Sequence, residues 1–180
     1  MATHTILQVF DALRQHLQEH AARIECFGKY EFQSEGWLKA EWITVLDQMR
    51  AHGHIHRVDR EVSVKGRQKI DLAVDLDDGR HWIELKHWCT GQQKGHLWRP
   101  VDFISELENE CEKFSAVRAG DRAWVAALCT KHPGVGAWLT AIDQFNRDYA
   151  PWQLRVLDDP QHYPDSYMLG VLQVRGLEVS

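Results

Sequence analysis

Apolar and polar residues alternate over two neighbouring segments near the middle of the chain. In the first segment, the even positions are all aliphatic: Ile70, Leu72, Val74 and Leu76. A repeat of two residues is typical of a β-strand, because successive side chains point to opposite faces of a sheet. Ile83 and Leu85 continue the alternation in the second segment, and Asp78-Gly79 between the segments is a strong signal for a tight turn. The two segments are therefore predicted to form a β-hairpin.

The turn decides which side chains share a face of this hairpin. If Asp78-Gly79 is a two-residue loop, Ala73 lies opposite Glu84, and Asp71 lies opposite Lys86. Residues that lie opposite each other on paired strands point to the same side of the sheet. The pattern thus predicts Asp71, Glu84 and Lys86 on one face, with the aliphatic side chains on the other.

The segment before the hairpin has a helical pattern. Ser34 is a candidate N-cap, Gly53 is a candidate end, and apolar residues recur between them at helical spacing. This apolar stripe consists of Leu38, Trp42, Val45, Leu46 and Met49. Glu41 lies at the edge of the stripe, where a carboxylate is costly to bury without a partner. We therefore expect Glu41 either to take part in a site or to extend into water.

The remaining patterns complete an α/β layout. The segments with helical spacing are 6–24, 100–117 and 133–148, and those with strand character are 61–64, 122–129, 153–157 and 167–174. The run at 122–129 is almost continuously apolar, as expected for a buried central strand. The predicted fold class is α/β, with a mixed β-sheet flanked by helices.

Length and composition indicate one folded unit. A chain of 180 residues is a single domain by length, taken as 1–180, and 44% hydrophobic residues with eight tryptophans argue against disorder. No apolar run is long enough to cross a bilayer and the N-terminus lacks a signal-peptide pattern, so we expect a cytoplasmic protein with no membrane partner. The four cysteines form no CxxC pair, which favours reduced thiols over disulfides or a cysteine-bound zinc.

The charge balance limits the kind of nucleic acid that the chain could bind. Its net charge is −5, whereas a nucleic-acid binder more often presents a basic face, so tight nonspecific binding to long duplexes is not expected. Basic residues nevertheless cluster around the hairpin: Arg57, Arg60, Lys65, Arg67, Lys69, Lys94, His96 and Arg99. This distribution leaves room for a small or structured substrate, or for a partner that delivers the nucleic acid.

Two carboxylates and a lysine on one sheet face make a poor core and a good site for a divalent cation. Asp71 and Glu84 would supply the oxygen ligands that Mg²⁺ prefers, and the cation would activate a bound water. Lys86 would orient the attacking water or stabilise charge in the transition state. The alternative is a solvated sheet face, which is the common reason for charged residues to alternate with apolar ones.

The ordered set of residues resembles a known family. A helix with Glu41, a strand, a strand with Asp71 and a strand with Glu84-Leu85-Lys86 resemble the PD-(D/E)xK, or restriction-endonuclease-like, superfamily of nucleases. The resemblance spans about residues 34–130 and implies an α-β-β-β-α-β core, with an extra N-terminal helix and C-terminal strands outside it. Ile70 stands where the family has a proline before the aspartate, a substitution that the family tolerates.

The resemblance also implies a function and its residues. Glu41, Asp71, Glu84 and Lys86 would be catalytic, and Mg²⁺, with Mn²⁺ as a substitute, would be held by Asp71, Glu84, Glu41 and the carbonyl oxygen of Leu85. The carboxylate of Glu41 is accordingly expected to point into the pocket of Asp71. The implied activity is hydrolysis of phosphodiester bonds in nucleic acid, with DNA favoured, and cutting both strands of a duplex would suit a homodimer.

Two other functions stay open on the sequence alone. The same fold could serve as a noncatalytic binding or assembly module, which the acidic charge balance favours. The carboxylates could instead belong to a metal hydrolase that acts on a small molecule. The intact set of four residues favours the nuclease over both.

Two groups of aromatic residues have simpler explanations. His52, His54 and His56 alternate, but a glycine lies among them, which favours exposed turn residues over a metal site. Trp82 and Trp88 share the predicted face of Glu84, where packing under a helix is favoured over stacking on a base.

Overall fold

Helices precede a mixed β-sheet in a computed structural model of the chain. The model describes residues 5–30, 34–90, 92–93, 96–97, 113–114, 117, 120–131, 147, 155–156 and 167–173. The helices are α1 (Ile6–Gln18), α2 (Ala21–Tyr30) and α3 (Glu35–Ala51). The strands are β1 (Arg57–Lys65), β2 (Gln68–Leu76), β3 (Gly79–Thr90), β4 (Gln92–Gln93), β5 (His96–Leu97), β6 (Arg122–Lys131), β7 (Arg155–Val156) and β8 (Tyr167–Gln173).

The segment predicted as one first helix is two helices with a short turn between them. The N–H of Glu19 bonds to the carbonyl of His16, which tightens the end of α1, and the carbonyl of His20 accepts the N–H of Ile24 at the start of α2. Leu17 before the turn and Ile24 after it are both buried. The apolar spacing continues across the turn, and for this reason the spacing does not reveal the break.

The third helix forms as predicted and is held by aromatic contacts. Its buried residues are the predicted stripe: Leu38, Trp42, Val45, Leu46 and Met49. Phe10 of α1 packs edge to face on Trp42, with ring centroids 5.6 Å apart, and on Trp124 of β6 at the same distance. Such pairs favour tilted rings over flat stacking. These contacts fix α1 and α3 against the sheet.

The six main strands form one mixed sheet, which confirms the α/β class. Their order is β1-β2-β3-β6-β8-β7, in which β3 and β6 are parallel and the other neighbours are antiparallel. The aliphatic face of the hairpin packs with α1 and α3 in one core, to which Leu72, Val74, Ile83 and Leu85 belong. A second, two-stranded sheet pairs β4 with β5.

The hairpin is present, but its register differs from the predicted one by two residues. Leu76 pairs with Gly79, so the loop is Asp77-Asp78 instead of Asp78-Gly79, and Gly79 follows it with a φ of +121°. Glycine reaches such a φ without strain, and it is used here to leave the turn rather than to form its centre. A slip of two residues keeps every side chain on its predicted face, whereas a slip of one would exchange the faces.

Other predictions fall partly outside the described residues. Of the helices predicted at 100–117 and 133–148, only 113–114, 117 and 147 are described, with helical backbone at Lys113, Phe114 and Arg147. The strand predicted at 122–129 is confirmed, and of the two late strands the structure describes Arg155–Val156 and Tyr167–Gln173. Within the described parts, no helix is both long and apolar enough to cross a membrane.

Candidate active site at the β2–β3 junction

The strands β2 and β3 separate at the predicted site. Their regular pairing runs from the turn to Leu72↔Ile83. One residue further on, the carboxylate of Asp71 accepts the N–H of Leu85 at 2.9 Å, and the carboxylate of Glu84 accepts the N–H of Asp71 at 3.3 Å. Each carboxylate thus takes a backbone donor of the other strand in place of a ladder hydrogen bond. The structure brings Asp71 and Glu84 together in the notch between the strands.

Two lysines reach these carboxylates from other elements. Lys39 of α3 contacts Asp71 with an Nζ–Oδ1 distance of 2.6 Å, and Lys113 contacts Glu84 with an Nζ–Oε1 distance of 2.9 Å. Glu84 is only 4% exposed, and a carboxylate so deeply buried needs a cation because water no longer stabilises its charge. The site therefore holds carboxylates at a place where positive charge is required.

The pKa of Lys39 reflects the negative charge of the carboxylates around it. Burial alone would lower its pKa, but the hydrogen bond to Asp71 and the charges of Asp71, Glu61 and Glu84 outweigh burial and raise the pKa above its usual value. Three carboxylates therefore act on one ammonium. A divalent cation in this place would be attracted by the same charges.

Glu61 is the third carboxylate of the site, and its backbone is unusual. The pairs Arg60↔Leu72 and Val62↔Ile70 bracket it, which places Glu61 opposite Asp71 on β1. Its φ is +49°, a value that residues other than glycine rarely adopt and that costs energy. Its carboxylate lies 3.8 Å from Nζ of Lys39.

Lys86 is the next residue of β3 whose side chain lies on the same face as Glu84. It follows Glu84 by two residues, so strand alternation puts both side chains on the same face, and the Lys86 side chain is half-buried. Leu85 between them faces the helices and is buried, while its N–H is bonded to Asp71. The backbone order of the predicted Glu84-Leu85-Lys86 set is therefore retained next to Asp71.

The structure does not bring Glu41 to Asp71. Its carboxylate contacts Nε2 of His16 at 2.7 Å and Nε2 of His20 at 3.7 Å, on the α1 side of α3. Successive helix residues are rotated by about 100°, so Glu41 lies about 200° from Lys39, which is the residue that reaches Asp71. This position differs from the one expected for Glu41. A carboxylate at the edge of an apolar stripe needs a partner, and Glu41 finds it in two histidines.

His87 packs behind the site as a neutral imidazole. Its Nδ1 accepts the N–H of Ser34 at 3.3 Å, so Nε2 carries the proton and donates to Oγ of Thr130 at 2.9 Å. Burial lowers the pKa of His87 to about 4, because a charged ring would lose water without gaining an anionic partner. The ring links the start of α3 to β6 across β3.

We expect His87 to make the protein less stable in acid. The unfolded chain protonates this ring near pH 6.5, as an ordinary histidine, but the folded chain does so only near pH 4. Above about pH 6.5, the ring therefore does not lower the free energy of unfolding. As the pH drops towards about 4, the free energy of unfolding falls by about 3 kcal/mol at most. Urea unfolding at about pH 7 and about pH 4 should show a smaller loss for His87→Gln than for wild type. His52→Gln, at an exposed ring, should lose as much as wild type, and equal losses for all three proteins would contradict the assignment.

Sequence reasoning missed three residues of this site. Lys39 carries no sequence signal that distinguishes it from other lysines of a helix, and Glu61 carries none because its strained backbone depends on pairing with β2. Lys113 lies in the segment 100–117, and its contact with Glu84 joins residues far apart in the chain. Strand alternation was the one sequence signal available. It indicates that a residue opposite or beside Asp71 on a paired strand lies in the same electrostatic environment.

Of these aromatic groups, the structure describes the side chains of Trp82 and of the three histidines. Trp82 is buried, donates from Nε1 to Asp121 at 2.9 Å and lies under the guanidinium of Arg80, 4.9 Å from its ring. The side chain of Trp88 lies outside the described part. His52, His54 and His56 are exposed, as predicted.

Basic residues do gather near the hairpin. A surface groove between α3 and β1 is lined by Arg50, His56, Arg57 and Arg60, among other residues. Arg60 pairs with Leu72, one residue from Asp71. Of the predicted basic cluster, Arg57, Arg60, Arg67 and Lys69 are exposed, and the side chains of Lys65, Lys94, His96 and Arg99 lie outside the described part.

The arrangement at the β2–β3 junction could hold a divalent cation. Asp71 and Glu84 offer hard oxygen donors in one notch, and Lys86 follows on the same strand. Comparisons with protein-family models, with curated proteins and with solved structures gave no match.

Proposed function

We propose that the protein is a divalent-metal-dependent nuclease of the PD-(D/E)xK type, with DNA as the favoured substrate. The observation that carries this proposal is the pairing of Asp71 and Glu84 where β2 and β3 separate, followed by Lys86 on the same strand. The catalytic residues are Asp71, Glu84 and Lys86. Glu41, which the resemblance included, belongs elsewhere because it binds His16.

The order of the elements supports the same proposal. After α3 come three antiparallel strands, β1, β2 and β3, and then β6, which is parallel to β3. A parallel neighbour requires a crossover, and residues between β3 and β6 include helical backbone at Lys113 and Phe114. This arrangement is compatible with a restriction-endonuclease-like α-β-β-β-α-β core.

The donor set fits Mg²⁺. Asp71 and Glu84 would hold the ion with carboxylate oxygens, and Leu85 would add its carbonyl oxygen, while waters complete the shell. A bound Mg²⁺ lowers the pKa of a water and stabilises negative charge on the phosphate. Lys39 and Lys113, which now neutralise the two carboxylates, have to share them with the ion or move aside.

The protein's own residues have distinct tasks in this scheme. Glu84 is buried, so its charge is little screened by water and it holds cations firmly. Lys86 orients the attacking water or stabilises the charge that develops on the phosphate. The arginine-lined groove beside β1 supplies contacts to the phosphate backbone, which offset the acidic net charge of −5 locally. A homodimer would bring two such sites to a duplex.

A noncatalytic binding module is the second candidate. The observation that favours it is that each carboxylate already has a lysine partner, Lys39 for Asp71 and Lys113 for Glu84. Such ion pairs satisfy the charges without a metal. The two candidates differ in one property, since only the nuclease needs a divalent cation at this place.

Cleavage in the presence of Mg²⁺ or Mn²⁺ tests the proposal. The wild-type protein is expected to cut at least one substrate in a panel of single-stranded, duplex and flap DNA and RNA, and to stop when EDTA is added. Glu84→Gln keeps a hydrogen-bond partner for Lys113 but removes the charge, so we expect at least about a 100-fold loss of rate together with weaker Mn²⁺ binding.

Asp77→Asn is the matched control, because Asp77 is an exposed carboxylate in the turn of the same hairpin. This variant should cut at the wild-type rate. A wild-type protein that neither binds Mn²⁺ nor cuts any substrate of the panel would favour the noncatalytic module.

A further inference from the structure

A cluster of metal-ligating side chains lies away from the β2–β3 junction. His16 near the end of α1, His20 in the turn before α2 and Glu41 of α3 direct their ligand atoms towards one another, and these atoms all lie within 4.8 Å. Two elements that are distant in the sequence therefore meet at this point. None of the three side chains belongs to the proposed nuclease chemistry.

The distances suit a tetrahedral ion. Bonds of about 2.0–2.1 Å in a tetrahedral shell place neighbouring ligand atoms about 3.3 Å apart. Oε2 of Glu41 lies 2.7 Å from Nε2 of His16 and 3.7 Å from Nε2 of His20, values that bracket this spacing. The third separation, between the ligand nitrogens of His16 and His20, is at most 4.8 Å.

Both imidazoles are directed at the same carboxylate oxygen. A hydrogen bond satisfies only one of them, since His16 is within bonding distance of Oε2 and His20, at 3.7 Å, is not. The two rings pack edge to face, with their centroids 5.0 Å apart. A shared divalent cation satisfies both rings and the carboxylate at once.

We propose that His16, His20 and Glu41 form a binding site for a divalent transition metal, with Zn²⁺ as the best fit. Two imidazole nitrogens and one carboxylate oxygen are a donor set that Zn²⁺ uses, whereas Mg²⁺ prefers oxygen donors alone. The three side chains keep 20%, 30% and 17% of their surface exposed, so a water or another small ligand can take the fourth position. The bound metal links the α1–α2 turn to α3.

Packing contacts hold the elements that carry His16, His20 and Glu41 next to each other. Leu13 and Leu17 on α1 are buried in the same core as Trp42 and Leu38 on α3, which keeps the two helices in contact beside the cluster. The ring of His20 also packs edge to face on Trp37, with centroids 5.9 Å apart. Because His16 and Glu41 lie on packed helices and the ring of His20 packs on Trp37, little ordering is left for the metal to impose.

A titration of the EDTA-treated full chain with Co²⁺ tests this site. Co²⁺ replaces Zn²⁺ in such sites and absorbs visible light strongly when its coordination is tetrahedral. We expect one equivalent to bind with that spectrum and to be displaced by Zn²⁺. His16→Ala, His20→Ala and Glu41→Gln should each weaken binding at least about tenfold.

The controls separate this site from other histidines and from other carboxylates. The double variant H52A/H54A removes exposed histidines, and Asp77→Asn removes an exposed carboxylate of the hairpin turn, so both should give the tetrahedral Co²⁺ spectrum of wild type. Circular dichroism of each metal-free variant shows whether it is folded. Failure of wild type to take up Co²⁺, or unchanged binding by folded His16→Ala and Glu41→Gln, overturns the proposal.

Discussion

Replacing Lys86 with alanine is expected to stop cleavage while leaving metal binding intact. Lys86 follows Glu84 by two residues on β3, and in the proposed mechanism it acts on the water or the phosphate and not on the ion. Loss of one such stabilising group typically lowers the rate by on the order of 10²–10³. Asp71→Asn should instead lose both functions, because Asp71 is one of the proposed metal ligands. The measurements are the cleavage rate at saturating Mn²⁺ and a Mn²⁺ titration followed by tryptophan fluorescence.

Lys29→Ala is the control for the loss of a lysine. Lys29 is exposed on α2, where its Nζ lies over the ring of Tyr30, and it should affect neither measurement. Lys86→Ala that cuts at the wild-type rate would remove the residue on which the comparison with PD-(D/E)xK nucleases is most specific. Equal loss of metal binding in Lys86→Ala and Asp71→Asn would assign Lys86 to the support of the metal site.

The site could be anticipated from the sequence because face parity survives errors of register. The predicted loop, Asp78-Gly79, was displaced by one residue from the observed Asp77-Asp78, which changes every cross-strand pair. Since the shift amounts to two residues in pairing, Asp71 and Glu84 still share a side. The aliphatic residues that face the helices were correct for the same reason.

The direction of Glu41 could not be anticipated from its helix alone. A residue at the edge of an apolar stripe can turn towards either neighbour of the helix, and only the packed structure shows that α1 lies on that side. Lys39, two residues earlier, points to the sheet and meets Asp71.

Contacts between segments that are distant in the chain also could not be predicted from the sequence. Glu61 takes its place opposite Asp71 through the pairing of β1 with β2, and its left-handed backbone has no local cause such as a glycine. Lys113, which lies in the crossover between β3 and β6, contacts Glu84 of β3. Pattern and spacing describe single elements, whereas these contacts depend on how the elements are assembled.

Phe10→Ala should cause a large loss of stability. Phe10 is 0% exposed and lies between Trp42 of α3 and Trp124 of β6, with both ring centroids at 5.6 Å. Truncating a buried phenylalanine removes apolar burial and leaves a cavity, at a cost of about 3–5 kcal/mol in the free energy of unfolding. Urea unfolding measures this difference from the shift of the midpoint.

Tyr30→Ala is the matched control, because Tyr30 is 61% exposed and its loss should change stability by no more than about 0.5 kcal/mol. Phe10→Leu keeps most of the volume and should cost less than Phe10→Ala. A loss below about 1 kcal/mol for Phe10→Ala would mean that α1 does not pack between α3 and the sheet. The contact of His16 with Glu41 depends on that packing, so the same result would also remove the structural basis of the transition-metal site.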